Sequence, residues 1–166
     1  TACPTNVGTA LRVSCMLHLP ALVITKRINK ILELLAKISV ATRGLFGEGT
    51  QALGNFFQIS NQVSLGVSEI EILNNLAGVV NQVKTQELDA RTLLFKKHKM
   101  SIEDSVWRAL GIAATCRLIS TKEALEHLSM LSLGVDLGII KGSTEAGTQQ
   151  MRQTVNSLFI LIQPAH

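Results

Sequence analysis

"TRGLFGEGTQALGNFFQISNQ", residues 42–62, is the stretch on which the fold reading turns. Near its C-terminal end Phe57 and Ile59 lie two residues apart, the spacing of one face of a strand, and a strand is predicted over 55–60. A short strand is predicted over 39–45 at the other end. Between them Arg43 and Glu48 stand around Gly44, Gly47 and Gly49. Glycine lets a backbone approach a ligand closely and flanking charges can bind one, so this turn is a candidate binding element.

Upstream, "TALRVSCMLHL" (9–19) sets Leu11, Val13, Cys15, Leu17 and Leu19 against Arg12, Ser14, Met16 and His18. That alternation predicts a half-buried strand with Arg12 pointing away from the apolar layer, and Pro20 ends it. From Thr25 to Ile38 the apolar residues Ile28, Ile31, Leu32, Leu35 and Ile38 recur at helical spacing opposite Lys26, Lys30, Glu33 and Lys37. Three strands, a helix and a turn imply an α/β (α+β) class with an antiparallel or mixed sheet flanked by helices.

The second half reads as largely helical. Ser68 with Glu71 has capping-box spacing and opens a long helix, along which Leu73, Leu76, Val80, Val83, Ala90 and Leu94 keep a three-four rhythm that Glu87 interrupts. Ser101 with Asp104 predicts a second helix to about Leu118, and Ser120 or Thr121 with Glu123 a third to about Leu131. "LGVDLGII" (133–140) reads as a turn or short helix, and a last helix runs from about Thr144 to before Pro164. No repeat or linker divides the chain, so residues 1–166 are expected to form one compact unit.

With 166 residues, 46% apolar and 17% charged, the chain can build a core. Sixteen basic against twelve acidic residues give +4, a mild excess that suits an anionic ligand such as a nucleotide. No apolar run approaches the ~18–20 residues of a membrane span, and "TACPTNVG" lacks the features of a signal peptide. Cys3, Cys15 and Cys116 are odd in number and at no metal-ligand spacing, which favours the reducing cytoplasm and predicts no protein metal site. Cys15 and Cys116 read as small buried hydrophobes. The first residue, Thr1, suggests a piece of a longer protein.

Three stretches, "CPTNVGTALR" (3–12), "RGLFGEG" (43–49) and "FFQISNQVSLG" (56–66), together resemble the guanidino phosphotransferases, or phosphagen kinases. The resemblance is strongest to the bacterial branch, the protein-arginine kinases, because it extends through "IEDSVWRALGI" (102–112) and "LSLGVDLGI" (131–139). Gln58 stands where the metabolite kinases of the family carry an aspartate, a departure that favours the same branch. The resemblance implies that the chain is the C-terminal part of a catalytic domain, with the substrate domain, a first catalytic glutamate and further arginines upstream. On that footing the chain alone is expected to be inactive.

It also implies site roles. Arg12 and Arg43 match phosphate-clamping arginines, and Gly44 and Gly47 lie where the chain passes the nucleotide phosphates. Planar guanidinium groups suit a transferring phosphoryl group, whose charge is spread over its oxygens. Glu48 matches the carboxylate that holds the substrate guanidinium, which is protonated at neutral pH and needs a group to orient it. Cys3 matches the family's reactive cysteine, with Thr5 and Asn6 in its loop; a thiolate there would tune the reacting nitrogen. Read from the residues alone, the arginines are equally compatible with surface ion pairs, Glu48 with a solvated turn and Cys3 with an inert thiol. His18 reads as a strand residue near the site. ATP and Mg²⁺ are the implied cofactors. The implied partners are arginine-containing protein substrates, a zinc-binding activator protein and a second copy in a homodimer, with neither nucleic acid nor membrane. Alternative readings are a kinase for a small guanidino metabolite and a non-catalytic helical module that docks partners.

Overall fold

A computed structural model of the chain describes residues 11–44, 52–142 and 144–162. The elements run β1 (Ser14–His18), α1 (Pro20–Ile24), α2 (Ile28–Lys37), β2 (Val40–Gly44), β3 (Phe56–Asn61), α3 (Glu69–Thr115), α4 (Thr121–Asp136) and α5 (Glu145–Ile162). The three strands form an antiparallel sheet in the order β1-β3-β2, so β3 pairs on both sides. Cys15 and Thr42 face each other across Ile59, and Leu17 and Gly44 across Phe57. Phe57 and Ile59, each 1% exposed, carry this inward face into the core. The expected class, an antiparallel or mixed sheet flanked by helices with a helical second half, is observed, and the sheet is antiparallel throughout the described residues.

Two helices occupy the region 20–37, where periodicity predicts one over 25–38. Pro20 does end β1, and in doing so it starts α1, because its fixed φ and missing N–H suit the first turn. α1 then closes after one turn. The Arg27 amide donates to the Leu22 carbonyl and the Lys26 amide to Val23, with Lys26 itself at φ 57°. This is a Schellman closure, and the left-handed position is usually glycine. A lysine there carries no sequence signal of a stop, which explains why the break is invisible in the periodicity.

α3 opens with the predicted capping box: the Glu71 amide donates to Ser68 Oγ, and the Ser68 amide donates to Glu71 Oε2 at 2.9 Å. These bonds hold the exposed Glu71 carboxyl below its ordinary value. The helix continues through 47 residues, roughly 70 Å at 1.5 Å per residue. The separate helix expected from Ser101 is thus a correction. The only backbone break is at His98 (φ −130°, ψ 31°), and the helix resumes without a loop. Residues 79–110 contain neither Gly nor Pro, and Leu94 and Ile102, buried on either side of the break, keep one face on the core. A second correction concerns Leu73, which is half exposed; Ile72 takes the inward position.

α4 begins at its predicted cap, where Ser120 Oγ accepts the Glu123 amide, and it extends five residues beyond Leu131. "LGVDLGII" is therefore the end of α4 followed by a turn, in which Gly138 (φ 70°) supplies the left-handed residue. Gly134 lets α4 lie against α3: a Cβ there would meet Val106 Cγ1 at 2.5 Å. Cys116, expected on an apolar face, is the exposed C-cap of α3. No helix among the described residues is long and apolar enough to cross a membrane.

Glu87, which interrupts the apolar rhythm of α3, is only 4% exposed. Its carboxylate receives the amides of Ala21 and Leu22, each at 3.0 Å, and so caps α1, whose own N-cap residue, Leu19, has no side chain able to do so. Arg91 Nε bonds Glu87 Oε1 at 2.7 Å, and Arg91 Nη1 bonds Asp136 Oδ2 at 2.8 Å. Arg152 completes the series on Asp136 Oδ1 at 2.9 Å. Four helices are thereby tied through one line of charges. Glu87→Gln keeps the shape but loses the charge and one acceptor, leaving an α1 amide and Arg91 poorly matched. We expect a loss of about 2–4 kcal/mol, read as a lower urea midpoint with an unchanged slope. An unaltered midpoint would contradict the capping role.

Candidate functional site

The inward face of the sheet is committed to the core, so any site on the sheet lies on the other face. Residues that face one another across antiparallel strands share a face, and Met16 and Arg43 both stand opposite Gln58. Arg12 has the parity of Ser14 and Met16 and is exposed, as is Arg43. The structure therefore brings Arg12 and Arg43 to one face. Taking about 3.3 Å per residue and about 4.8 Å per strand, their backbones are about 16 Å apart, within joint reach of one triphosphate for two long side chains.

Arg12 lies just before β1 and owes its direction to Asn61. The Val13 amide donates to Asn61 Oδ1 at 2.8 Å, Asn61 Nδ2 donates to the Leu11 carbonyl at 2.9 Å, and the Asn61 amide donates to the Val13 carbonyl at 3.3 Å. These bonds hold residues 11–13 extended beyond the formal end of the strand. The sequence reading assigned Asn61 no role. Its contacts span about fifty positions, and only a side-chain amide, with both donor and acceptor, can make them.

Among the described residues neither Arg12 nor Arg43 is paired with a carboxylate. Two exposed and unpaired guanidinium groups on one face fit an anionic, phosphate-bearing ligand in charge and donor geometry. Gly44 ends β2 opposite Phe57 with no positive φ, so no unusual backbone torsion requires glycine there. Cys3, Thr5, Asn6, Gly47 and Glu48 lie outside the described residues.

His18 occupies the other end of this face. Its ring stacks on Phe56, with centroids 4.7 Å apart, and its Nε2 lies 2.8 Å from Ser129 Oγ on α4. Asn55 Nδ2 donates to the same Ser129 oxygen at 2.7 Å. Burial first, and the nearby positive charge of Arg91 second, push the imidazole down from 6.5 to about 3. The ring is therefore neutral at physiological pH, and the arrangement that satisfies all three groups has the Ser129 hydroxyl donating to Nε2. His18 pins the sheet to α4, in keeping with its reading as a strand residue.

Two predictions follow from this geometry. Because the folded His18 resists protonation, the unfolded chain takes up the extra proton below about pH 6.5, and stability falls as pH drops from there toward about 3. The His18 contribution to the slope is at most about 1.4 kcal/mol per pH unit, and His18→Gln should remove it; identical acid profiles for the two proteins would exclude it. Asn61→Asp keeps the acceptor but loses the donor to Leu11. It should cost about 1–2 kcal/mol and raise hydrogen exchange at Val13, and unchanged exchange there would remove Asn61 as the support of Arg12.

Comparison with known proteins gives two family matches. Residues 1–90 match the family described as ATP:guanido phosphotransferase, C-terminal catalytic domain, and residues 99–166 match the protein-arginine kinase McsB C-terminal domain. A protein-arginine kinase of Moorella thermoacetica is 49% identical over 165 residues, 99% of this chain and 45% of the relative. One from Desulforamulus reducens is 54% identical over 142 residues, 86% of this chain and 40% of the relative. One from Bacillus subtilis is 46% identical over 164 residues, 99% and 43% respectively. The chain thus spans less than half the length of these relatives.

Proposed function

This chain belongs to the ATP:guanido phosphotransferase family, and we propose that it is the C-terminal part of a protein-arginine kinase, which moves the γ-phosphoryl group of ATP to a guanidinium nitrogen of arginine in proteins. The observation that carries this reading is the pair of guanidinium groups, Arg12 and Arg43, on one exposed sheet face with no carboxylate partner among the described residues. The names of relatives that match 99% of the chain support the choice of arginine in proteins as acceptor. Residues 1–166 would form one continuous part of the catalytic domain, since α3 runs unbroken by any loop through the interval between the two matched segments.

In the reaction the substrate nitrogen attacks the γ-phosphorus, the bond from that phosphorus to the ADP oxygen breaks, and the nitrogen gives up its proton to one of the carboxylates that hold the guanidinium, a pair of which Glu48 is the member in this chain. Arg12 and Arg43 hold the phosphate oxygens as their charge redistributes. Gly44 and Gly47 keep side chains out of the path of the nucleotide. By the family resemblance Glu48 orients the guanidinium and Cys3, in the substrate loop with Thr5 and Asn6, favours the reactive form of the nitrogen. Mg²⁺ would enter with ATP and neutralise phosphate charge. The full-length enzyme is proposed to be cytoplasmic and homodimeric and to answer to a zinc-binding activator.

The test uses the full-length enzyme containing this chain. Arg12→Gln and Arg43→Gln should each lower kcat/KM for ATP by roughly a hundredfold or more, and lysine at either position should restore little of it. With ATP supplied, arginine in a protein should be phosphorylated in preference to free arginine. Full activity in both glutamine variants would remove the clamp, and a preference for free arginine would reassign the substrate to a small guanidino compound.

A further inference from the structure

Away from the sheet face, the α1–α2 turn meets the break in α3 across a groove of about 440 Å³. Lys26 and Arg27 line it from one side, and Lys97, His98 and Ser101 from the other. Leu94 and Ile102, 2% and 4% exposed, form its floor. No carboxylate lines the groove, and none of its three cations forms an ion pair among the described residues. Like charges gathered in a concave space repel one another and concentrate a field that attracts counter-charge. Two departures from regular backbone, Lys26 at φ 57° and His98 at φ −130°, occur at residues that line this groove, while Ser39 and Asn55, also at positive φ, lie outside it. A left-handed torsion is unfavourable for lysine, and such departures gather where a site is built.

We propose that this groove is a second anion site, which takes a phosphate dianion, either inorganic phosphate or the phosphoryl group of a small organic phosphate. Two ammonium groups, a guanidinium fork and the Ser101 hydroxyl supply directed donors for several oxygens of one tetrahedral group. The apolar floor accepts the body of a phosphate ester. Lys26 and Arg27 fall in the segment matched by the first family description and Ser101 in that matched by the second, so a bound anion clamps the two segments together at the break in α3. The site shares no residue with the Arg12–Arg43 face and stands independently of the reaction proposed for that face.

The experiment titrates the 166-residue chain with inorganic phosphate and with phenyl phosphate, following amide signals by NMR. Binding should shift the signals of residues 97–102 and weaken as salt is added. Lys26→Gly removes the charge while easing the left-handed torsion, so it should fold; it and Lys97→Gln should each weaken binding about tenfold. Arg12→Gln should leave the affinity within about twofold, because it lies outside the groove. Tighter binding of phenyl phosphate supports the site and marks an organic phosphate as its ligand, whereas equal affinities support it and mark the free ion. The proposal is overturned if neither probe binds, if the two lysine variants bind as the parent does, or if Arg12→Gln abolishes binding.

Discussion

A carboxylate inside a protein needs donors to replace the water it has lost. Glu87 meets that condition with the Ala21 and Leu22 amides and the Arg91 guanidinium. The arrangement solves two problems at once. α1 has five residues, too few to be stable alone, and its first amides point into the protein where no water can satisfy them. α3 supplies the missing acceptor. Arg91 then carries the charge outward to Asp136 at the end of α4, and Arg152 of α5 closes the line. Because α1 follows β1 directly, the position of β1, and so the direction of Arg12, depends on this buried anchor.

A second anchor ties the same region from the other end. His18, the last residue of β1, reaches Ser129 across 111 positions of sequence. A neutral imidazole, a serine and the Asn55 amide make a polar contact whose groups satisfy each other at the end of the sheet. The sheet is thus held by two polar contacts of long range, with Phe57 and Ile59 filling the space between it and the helices. The outward face is left free to present Arg12 and Arg43.

Features with a local cause were legible in the sequence. The strand at Phe57 and Ile59, the Ser68–Glu71 box and the Ser120 cap each depend on residues a few positions apart. The order of strands and helices left an antiparallel or a mixed sheet open, and the pairing of β3 with both neighbours decided for the antiparallel one. What was not legible has a distant or a negative cause. Lys26 stops α1 in a torsion that lysine rarely adopts, so no residue type announces the turn. Ser101 and Asp104 imitate a cap, yet burial of Leu94 and Ile102 on one face carries α3 past them. Glu87 looked like a flaw in a rhythm because the α1 amides it caps are more than sixty residues away. At the site, alternation turned Arg12 away from the apolar layer and the family resemblance paired it with Arg43, but the register that sets both on one face and the contacts of Asn61 that secure Arg12 came only from the fold.

The central claim is that this exposed face grips a nucleotide through both arginines together. The most direct measurement is a structure of the full-length enzyme with a non-hydrolysable ATP analogue. The account predicts both guanidinium groups within hydrogen-bonding distance of the phosphate oxygens of one nucleotide. A nucleotide bound elsewhere, or gripped by neither arginine, would contradict it.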